Sequence, residues 1–198
     1  MYRIVFKRVF DLVVGLLSLT LFIPIIFFSW LVATIETKSN GFFLQDRVGK
    51  DGHTFKVIKI KTMTEKSDFS SRTTVTSALD SRITVSGKLF RKYKIDELPQ
   101  LINVVIGQMS FVGPRPDVPG YADKLRGEDR IILSIRPGIT GPASIKYNDE
   151  EYILSTKGNP QKYNDSVIWP DKVSINKKYA KTYNFVDDIK YIIETVVR

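Results

Sequence analysis

Two adjacent carboxylates, Asp96 and Glu97, stand just before Leu98-Pro99-Gln100-Leu101. Proline is tolerated in a helix only in its first turn, so a helix is predicted to start at or near Asp96 and to stop at Gly107. Neighbouring side chains project about 100° apart on a helix, so the pair can reach different parts of one ligand. Two readings are open. Asp96 can be an N-cap, with Glu97 a first-turn charge. Alternatively, the pair is a nucleophile or metal ligand at a helix terminus that also attracts phosphate. Two loops bear on the choice. One holds Arg115 between Pro114 and Pro116, which restricts its backbone, and Arg136-Pro137-Gly138 repeats the device. A guanidinium grips phosphate with two hydrogen bonds at once. Lys59 and Lys61, one residue apart, share a strand face and add positive charge. The absence of cysteine excludes thiolate sites, and the single histidine, His53, leaves little room for multi-histidine metal sites or a Ser-His-Asp triad in the usual form. Carboxylates and cations must carry any chemistry.

The elements that would position these groups follow from patterning. The chain of 198 residues suits one domain, and 43% hydrophobic residues exclude disorder. Residues 12–35 carry no charge. As a straight helix they would reach about 36 Å, enough to cross a hydrocarbon core of about 30 Å. Arg3, Lys7 and Arg8 precede this stretch, and the rest of the excess of 30 basic over 21 acidic residues follows it. The positive-inside tendency therefore pulls both flanks to the cytoplasm. Pro24 near the centre removes a helix hydrogen bond and bends the segment, and Ser18 and Thr20 are placed to help satisfy freed carbonyls. A re-entrant hairpin over residues 1–40 is expected rather than a full crossing.

Residues 41–198 read as one compact unit. Strands are expected over 41–47 and 53–61, a loop over 64–81, and a basic amphipathic helix over 86–93 with Leu89, Phe90 and Tyr93 on one side. Residues 117–135 read as mostly helical, and helices over 171–182 and 185–197 end the chain. The fold class is α+β: a kinked membrane hairpin with a small, mainly helical domain that contains a short β-hairpin.

These pieces resemble the small monotopic phosphoglycosyl transferases, the bacterial sugar transferase family. The resemblance rests on Lys7-Arg8 with the apolar hairpin around Pro24, the strand at residues 55–63, Asp96 to Leu101, Met109 to Pro116, and Arg136 to Gly141, in that order. Two positions depart from the family pattern: Ile23 stands where serine is frequent, and Ile60-Lys61 where phenylalanine and arginine are usual. The resemblance implies that a UDP-sugar gives its phosphosugar to undecaprenyl phosphate and releases UMP, the first membrane step of glycan assembly. It implies Asp96 as the nucleophile that forms a covalent phosphosugar intermediate, and Asp96 and Glu97 as ligands of Mg²⁺ or Mn²⁺. Arg115, Arg136 and Lys59 would hold phosphate. The implied location is the cytoplasmic face of the bacterial inner membrane, with membrane lipids as further partners.

Electrostatics argues the same way. A carboxylate attacks a dianionic diphosphate poorly because like charges repel, so cations must surround it. A membrane-tethered nucleic-acid binder would explain the net charge of +9. It would not explain the Asp-Glu pair or the arginine-proline loops, and no nucleic-acid motif is present. A scaffold without catalysis predicts that Asp96 is no more than a cap. The identity of the sugar and a homo-oligomeric state are not fixed by these residues; residues 144–169 are the expected place for sugar specificity.

Overall fold

The computed structural model describes residues 2–64 and 82–197. The expected loop over 64–81 therefore lies, except for Thr64, outside the described residues.

A single helix, α1 (Tyr2–Thr37), runs through the apolar segment with Pro24 inside it. Pro24 removes the donor that the Thr20 carbonyl would otherwise meet; the Thr20 hydroxyl donates one turn earlier, to the Leu16 carbonyl at 2.9 Å. Asp11, Gly15, Ile26, Ser29 and Ala33 are buried and recur at helical spacing. Most of the remaining circumference is exposed and apolar, with Leu17, Leu21, Phe28 and Ile35 each more than half exposed. Both ends of α1 dock on the same folded body. At the first, the Asp11 carboxylate accepts from Ser110 Oγ and from the Phe111 N–H, each at 3.1 Å. At the other, Ala33 and Trp30 pack with Ile60, Phe90 and Phe42. The chain then leaves α1 through Gly41, where a Cβ would lie 2.2 Å from the Trp30 carbonyl oxygen, so only glycine fits.

β1 (Phe42–Val48) and β2 (Thr54–Ile60) form the expected hairpin, antiparallel from Phe42↔Ile60 to Val48↔Thr54. Its register, with Phe43 opposite Lys59 and Arg47 opposite Phe55, places Gln45, Arg47 and Lys59 on one face. α2 (Val85–Lys92) is capped by Thr84, whose hydroxyl accepts from the Gly87 N–H at 3.0 Å. The apolar side expected for this helix divides. Phe90 enters the core, whereas Val85, Leu89 and Tyr93 stay exposed.

α3 (Gln100–Ile106) ends at Gly107, whose φ of 89° is the left-handed conformation of a helix stop. Val104 of α3, Val57 of β2 and Met109 form the core beneath the site. Asn103 of α3 is fully buried and ties α3 to β2: its Oδ1 accepts from the Ile58 N–H at 3.1 Å, and its Nδ2 donates to the Lys56 carbonyl at 2.8 Å. Replacing it by Leu leaves the Ile58 N–H and the Lys56 carbonyl without this partner. Asn103→Leu is expected to cost about 3 kcal/mol in stability, read by denaturant unfolding in detergent micelles; wild-type stability would refute this account of the α3–β2 joint.

β3 (Ser110–Val112) pairs in parallel with β4 (Gly138–Thr140), a two-stranded element too short to show a period in the sequence. Between them the expected helix over 117–135 is absent. Two 3-10 segments, Ala122–Lys124 and Gly127–Ser134, stand there instead. Pro119 breaks the pattern, and Gly120 and Gly127 adopt positive φ, which no α-helix accommodates. α4 (Pro142–Lys146), α5 (Glu150–Ser155) and α6 (Pro160–Tyr163) are short. A π-helical turn leads into α7 (Trp169–Thr182), and α8 (Phe185–Val197) follows, so the two C-terminal helices stand where the pattern placed them. α8 returns to the start of the chain: the Phe185 ring meets Phe6 and Phe10 edge-on, at 5.0 and 5.2 Å between centroids.

Candidate active site

Asp96 and Glu97 occupy a 3-10 turn, Ile95–Glu97, between α2 and α3. Lys94, with φ 56°, turns the chain sharply out of α2, and Pro99 stands at the cap position of α3. The helix thus begins later than its sequence suggests, and Asp96 does not cap it. No side-chain cap bond is made at either start. Instead, Asp96 Oδ1 is buried and has no hydrogen-bond partner among the described residues. A buried acceptor left unpaired is costly, so its retention points to a function. Burial, and then the neighbouring Glu97, push the Asp96 carboxyl upward, while Lys59, Arg91 and Lys94 pull against them. Such a carboxylate is desolvated, which favours attack once it is ionised.

Glu97 is the opposite case. Its Oε1 accepts from Lys59 Nζ at 2.8 Å and from Arg115 Nη2 at 3.0 Å, and its side chain is 15% exposed. Burial alone would raise this carboxyl, but Arg115 and Lys59 hold it far below the ordinary range. Both bonds fall on one oxygen. The β-hairpin delivers Lys59, and the Pro114–Pro116 loop delivers Arg115. The loop is pinned on the β4 side by the Gly138 N–H, which donates to the Pro114 carbonyl at 2.8 Å.

Four residues expected in the site, Asp96, Glu97, Lys59 and Arg115, are therefore brought together. Arg136 is not. Its Nε donates to the Gly107 carbonyl at 2.7 Å, at the far end of α3 from Asp96. Arg8 joins it there, with Nη1 and Nη2 donating to the Val104 and Val105 carbonyls at 2.6 and 2.7 Å. Cations at a helix C-terminus satisfy its orphan carbonyls. Lys7 is bound to Asp188 and reaches the Tyr179 hydroxyl at 3.4 Å. Lys7 and Arg8 thus both face protein groups.

Three charged neighbours were not expected. Arg91, from α2, donates through Nε to Thr62 Oγ at 2.9 Å and adds positive potential at Asp96. Arg47, from β1, donates to the Pro116 carbonyl at 3.1 Å. Asp117 follows the loop; burial pushes its carboxyl up to about 6, against the pull of Lys172, Arg47 and Arg115. The alternation Phe43-Leu44-Gln45-Asp46-Arg47 holds the signal for Arg47, because strand period puts Gln45 and Arg47 on one face.

Among the described residues no three His, Cys, Asp or Glu side chains gather as a metal site. Asp96 and Glu97 remain as the hard-oxygen pair. They fit Mg²⁺, which is commonly held by one or two carboxylates plus substrate phosphates and water. The unpartnered Asp96 oxygen is the observation in favour of this fit.

Residues 2–198 match the family model described as bacterial sugar transferase. The chain is 30% identical to the exopolysaccharide production protein ExoY of Sinorhizobium fredii, over 96% of this chain and 83% of that protein. It is also 30% identical to a UDP-glucose:undecaprenyl-phosphate glucose-1-phosphate transferase of Caulobacter vibrioides, over 96% of this chain and 68% of the relative. A UDP-N-acetylgalactosamine-undecaprenyl-phosphate N-acetylgalactosaminephosphotransferase of Aeromonas hydrophila is 34% identical, over 70% of this chain and 33% of its own length. The chain belongs to the bacterial sugar transferase family.

Proposed function

We propose that this bacterial sugar transferase moves a phosphosugar from a nucleoside diphosphate sugar, a UDP-sugar, to undecaprenyl phosphate, by way of a covalent intermediate on Asp96. The observation that carries the reading is the unpartnered, buried Asp96 oxygen beside a glutamate that two cations grip through one atom. In the first step an Asp96 carboxylate oxygen attacks the β-phosphorus. A phosphorus–oxygen bond to Asp96 forms, the bond to the α-phosphate breaks, and UMP leaves with the electron pair. In the second step an oxygen of undecaprenyl phosphate attacks the same phosphorus and frees the carboxylate. Arg115 and Lys59, which meet on Glu97 Oε1, are the cations assigned to the phosphate oxygens in this reading, and trading Glu97 for phosphate keeps both paired. A divalent cation held by Asp96 and Glu97 would neutralise diphosphate charge and stabilise the leaving phosphate. The test is UMP release from a panel of UDP-sugars with undecaprenyl phosphate; no release from any of them would sink the reading.

The lipid acceptor requires the site to lie at a membrane surface. A helix that crosses a bilayer carries its two ends to opposite faces, about 30 Å apart. Here residues 7–11 and residues 30–36 of α1 bind one folded body, which supports a re-entrant anchor entering and leaving by one face. The exposed Val85 and Leu89 of α2 and Tyr93 at its C-terminal cap, with Lys88 and Lys92 beside them, suit an interface with anionic lipid. Cysteines placed at Tyr2 and Asn40 are both expected to resist an impermeant thiol reagent applied to intact spheroplasts. Labelling at one position but not the other would mean a full crossing.

A further inference from the structure

Arg115 is the one phosphate-seeking cation of the site that stands half-exposed, with its side chain 48% accessible, against 18% for Lys59. An exposed guanidinium keeps its direction only if its backbone is fixed, and three carbonyls around it are held. The Gly138 N–H holds the Pro114 carbonyl from the β4 side. On the other side the last two residues of β1 hold the next two carbonyls in turn. Arg47 Nη1 donates to the Pro116 carbonyl at 3.1 Å, and the Val48 N–H donates to the Asp117 carbonyl at 2.8 Å. Arg47 is itself aimed: its Nη2 donates to Gln45 Oε1 at 2.6 Å, from the neighbouring same-face position of the strand. Its charged surroundings are Arg115, Asp117 and Glu97. The like charge of Arg47 repels Arg115, Asp117 offsets part of that repulsion, and Glu97 receives the extended side chain.

We propose that Arg47 is the positioning residue of Arg115 and that, through the Pro116 carbonyl, it sets the affinity for the diphosphate of the donor. The inference rests on Arg115 as a donor-phosphate ligand. Arg47 need not touch the donor. Its role is geometric, because a guanidinium bridges two acceptors in a fixed plane and an ammonium does not.

The test measures binding of UDP with Mg²⁺ by calorimetry on the full chain in nanodiscs, alongside steady-state constants for both substrates. Arg47→Lys keeps the charge and loses the bridge. It is expected to weaken UDP and raise the donor KM about tenfold, the scale of one charge-assisted hydrogen bond, with the KM for undecaprenyl phosphate unchanged. Arg115→Lys should do the same. The double variant should be no worse than Arg115→Lys alone, since both changes disable one device. Gln45→Ala frees Arg47 without touching the loop and should give a smaller loss of the same kind, which serves if Arg47→Lys folds poorly. Additive losses in the double variant, unchanged UDP affinity in Arg47→Lys, or equal losses for both substrates would each overturn the proposal. A wild-type chain that binds no UDP would overturn the reaction and this inference together; wild-type binding with additive losses overturns this inference alone.

Discussion

Incubated with its UDP-sugar and no lipid acceptor, the wild-type enzyme is expected to gain the mass of one phosphosugar on the peptide containing Asp96, and Asp96→Asn to gain none. The amide is nearly isosteric, and it removes the negative charge that attacks phosphorus. Turnover should fall on the order of 10⁴-fold or more, the scale of deleting a nucleophile. Stability should not fall with it. Asp96 Oδ1 makes no hydrogen bond that the amide would break, and burial and Glu97 already disfavour the charged form. A catalytically dead variant with undiminished stability is the combination that separates a nucleophile from a helix cap, whose loss costs about 1 kcal/mol. The competing route is direct attack by the prenyl phosphate with both carboxylates as metal ligands. It needs both substrates bound together, so it gives sequential kinetics and no exchange between UMP and UDP-sugar. An active preparation showing neither exchange nor adduct would refute the assignment of Asp96.

The second large effect belongs to Glu97. Glu97→Gln leaves Lys59 and Arg115 without their shared anion, in a place where Lys59 is only 18% exposed. Activity should fall about 10²- to 10³-fold, the range seen when one electrostatic contributor to a transition state is removed. The Mg²⁺ concentration needed for half-maximal rate should rise as well. The covalent adduct should still form slowly, because the nucleophile remains. EDTA should abolish turnover of the wild type, and Mg²⁺ or Mn²⁺ should restore it. Undiminished turnover in EDTA would refute the divalent cation, and an undiminished rate in Glu97→Gln would refute the electrostatic role of this residue.

Much of this site is legible in the chain itself. Pro99 after two carboxylates marks a helix start, and prolines flanking Arg115 mark a guanidinium with a fixed backbone. Yet Arg136 sits in an equally restricted Arg-Pro-Gly loop and binds a backbone carbonyl instead. The residue type announces a strong donor; which acceptor meets it depends on tertiary placement. Arg47 was missed for a related reason. Its relation to Lys59 exists only through the pairing register, which sequence period does not specify. The helices expected over 171–182 and 185–197 stand at Trp169–Thr182 and Phe185–Val197, because long apolar periods are robust. Residues 117–135 misled because Ala122, Leu125 and Ile132 fall on one face at helical spacing, while Pro119 and two glycines with positive φ override it. Asp96 shows the same limit within the site, since an N-cap and an unpaired buried acceptor share one sequence signature.

The joint between Lys7 and the pair Tyr179–Asp188 also sets a timetable for the nascent chain. Tyr179 donates to Asp188 at 2.6 Å, and its oxygen lies 3.3 Å from the carbonyl of Val112, next to Gly113 at the head of the Arg115 loop. Lys7 leaves the ribosome 181 residues before Asp188 does. At about 5–20 residues per second that gap lasts on the order of ten to forty seconds. During this interval α1 exists without Asp188, the residue that will hold Lys7. The contacts that tie the start of α1, through Tyr179, to the Val112 carbonyl beside the Arg115 loop therefore cannot all form until α8 has been made.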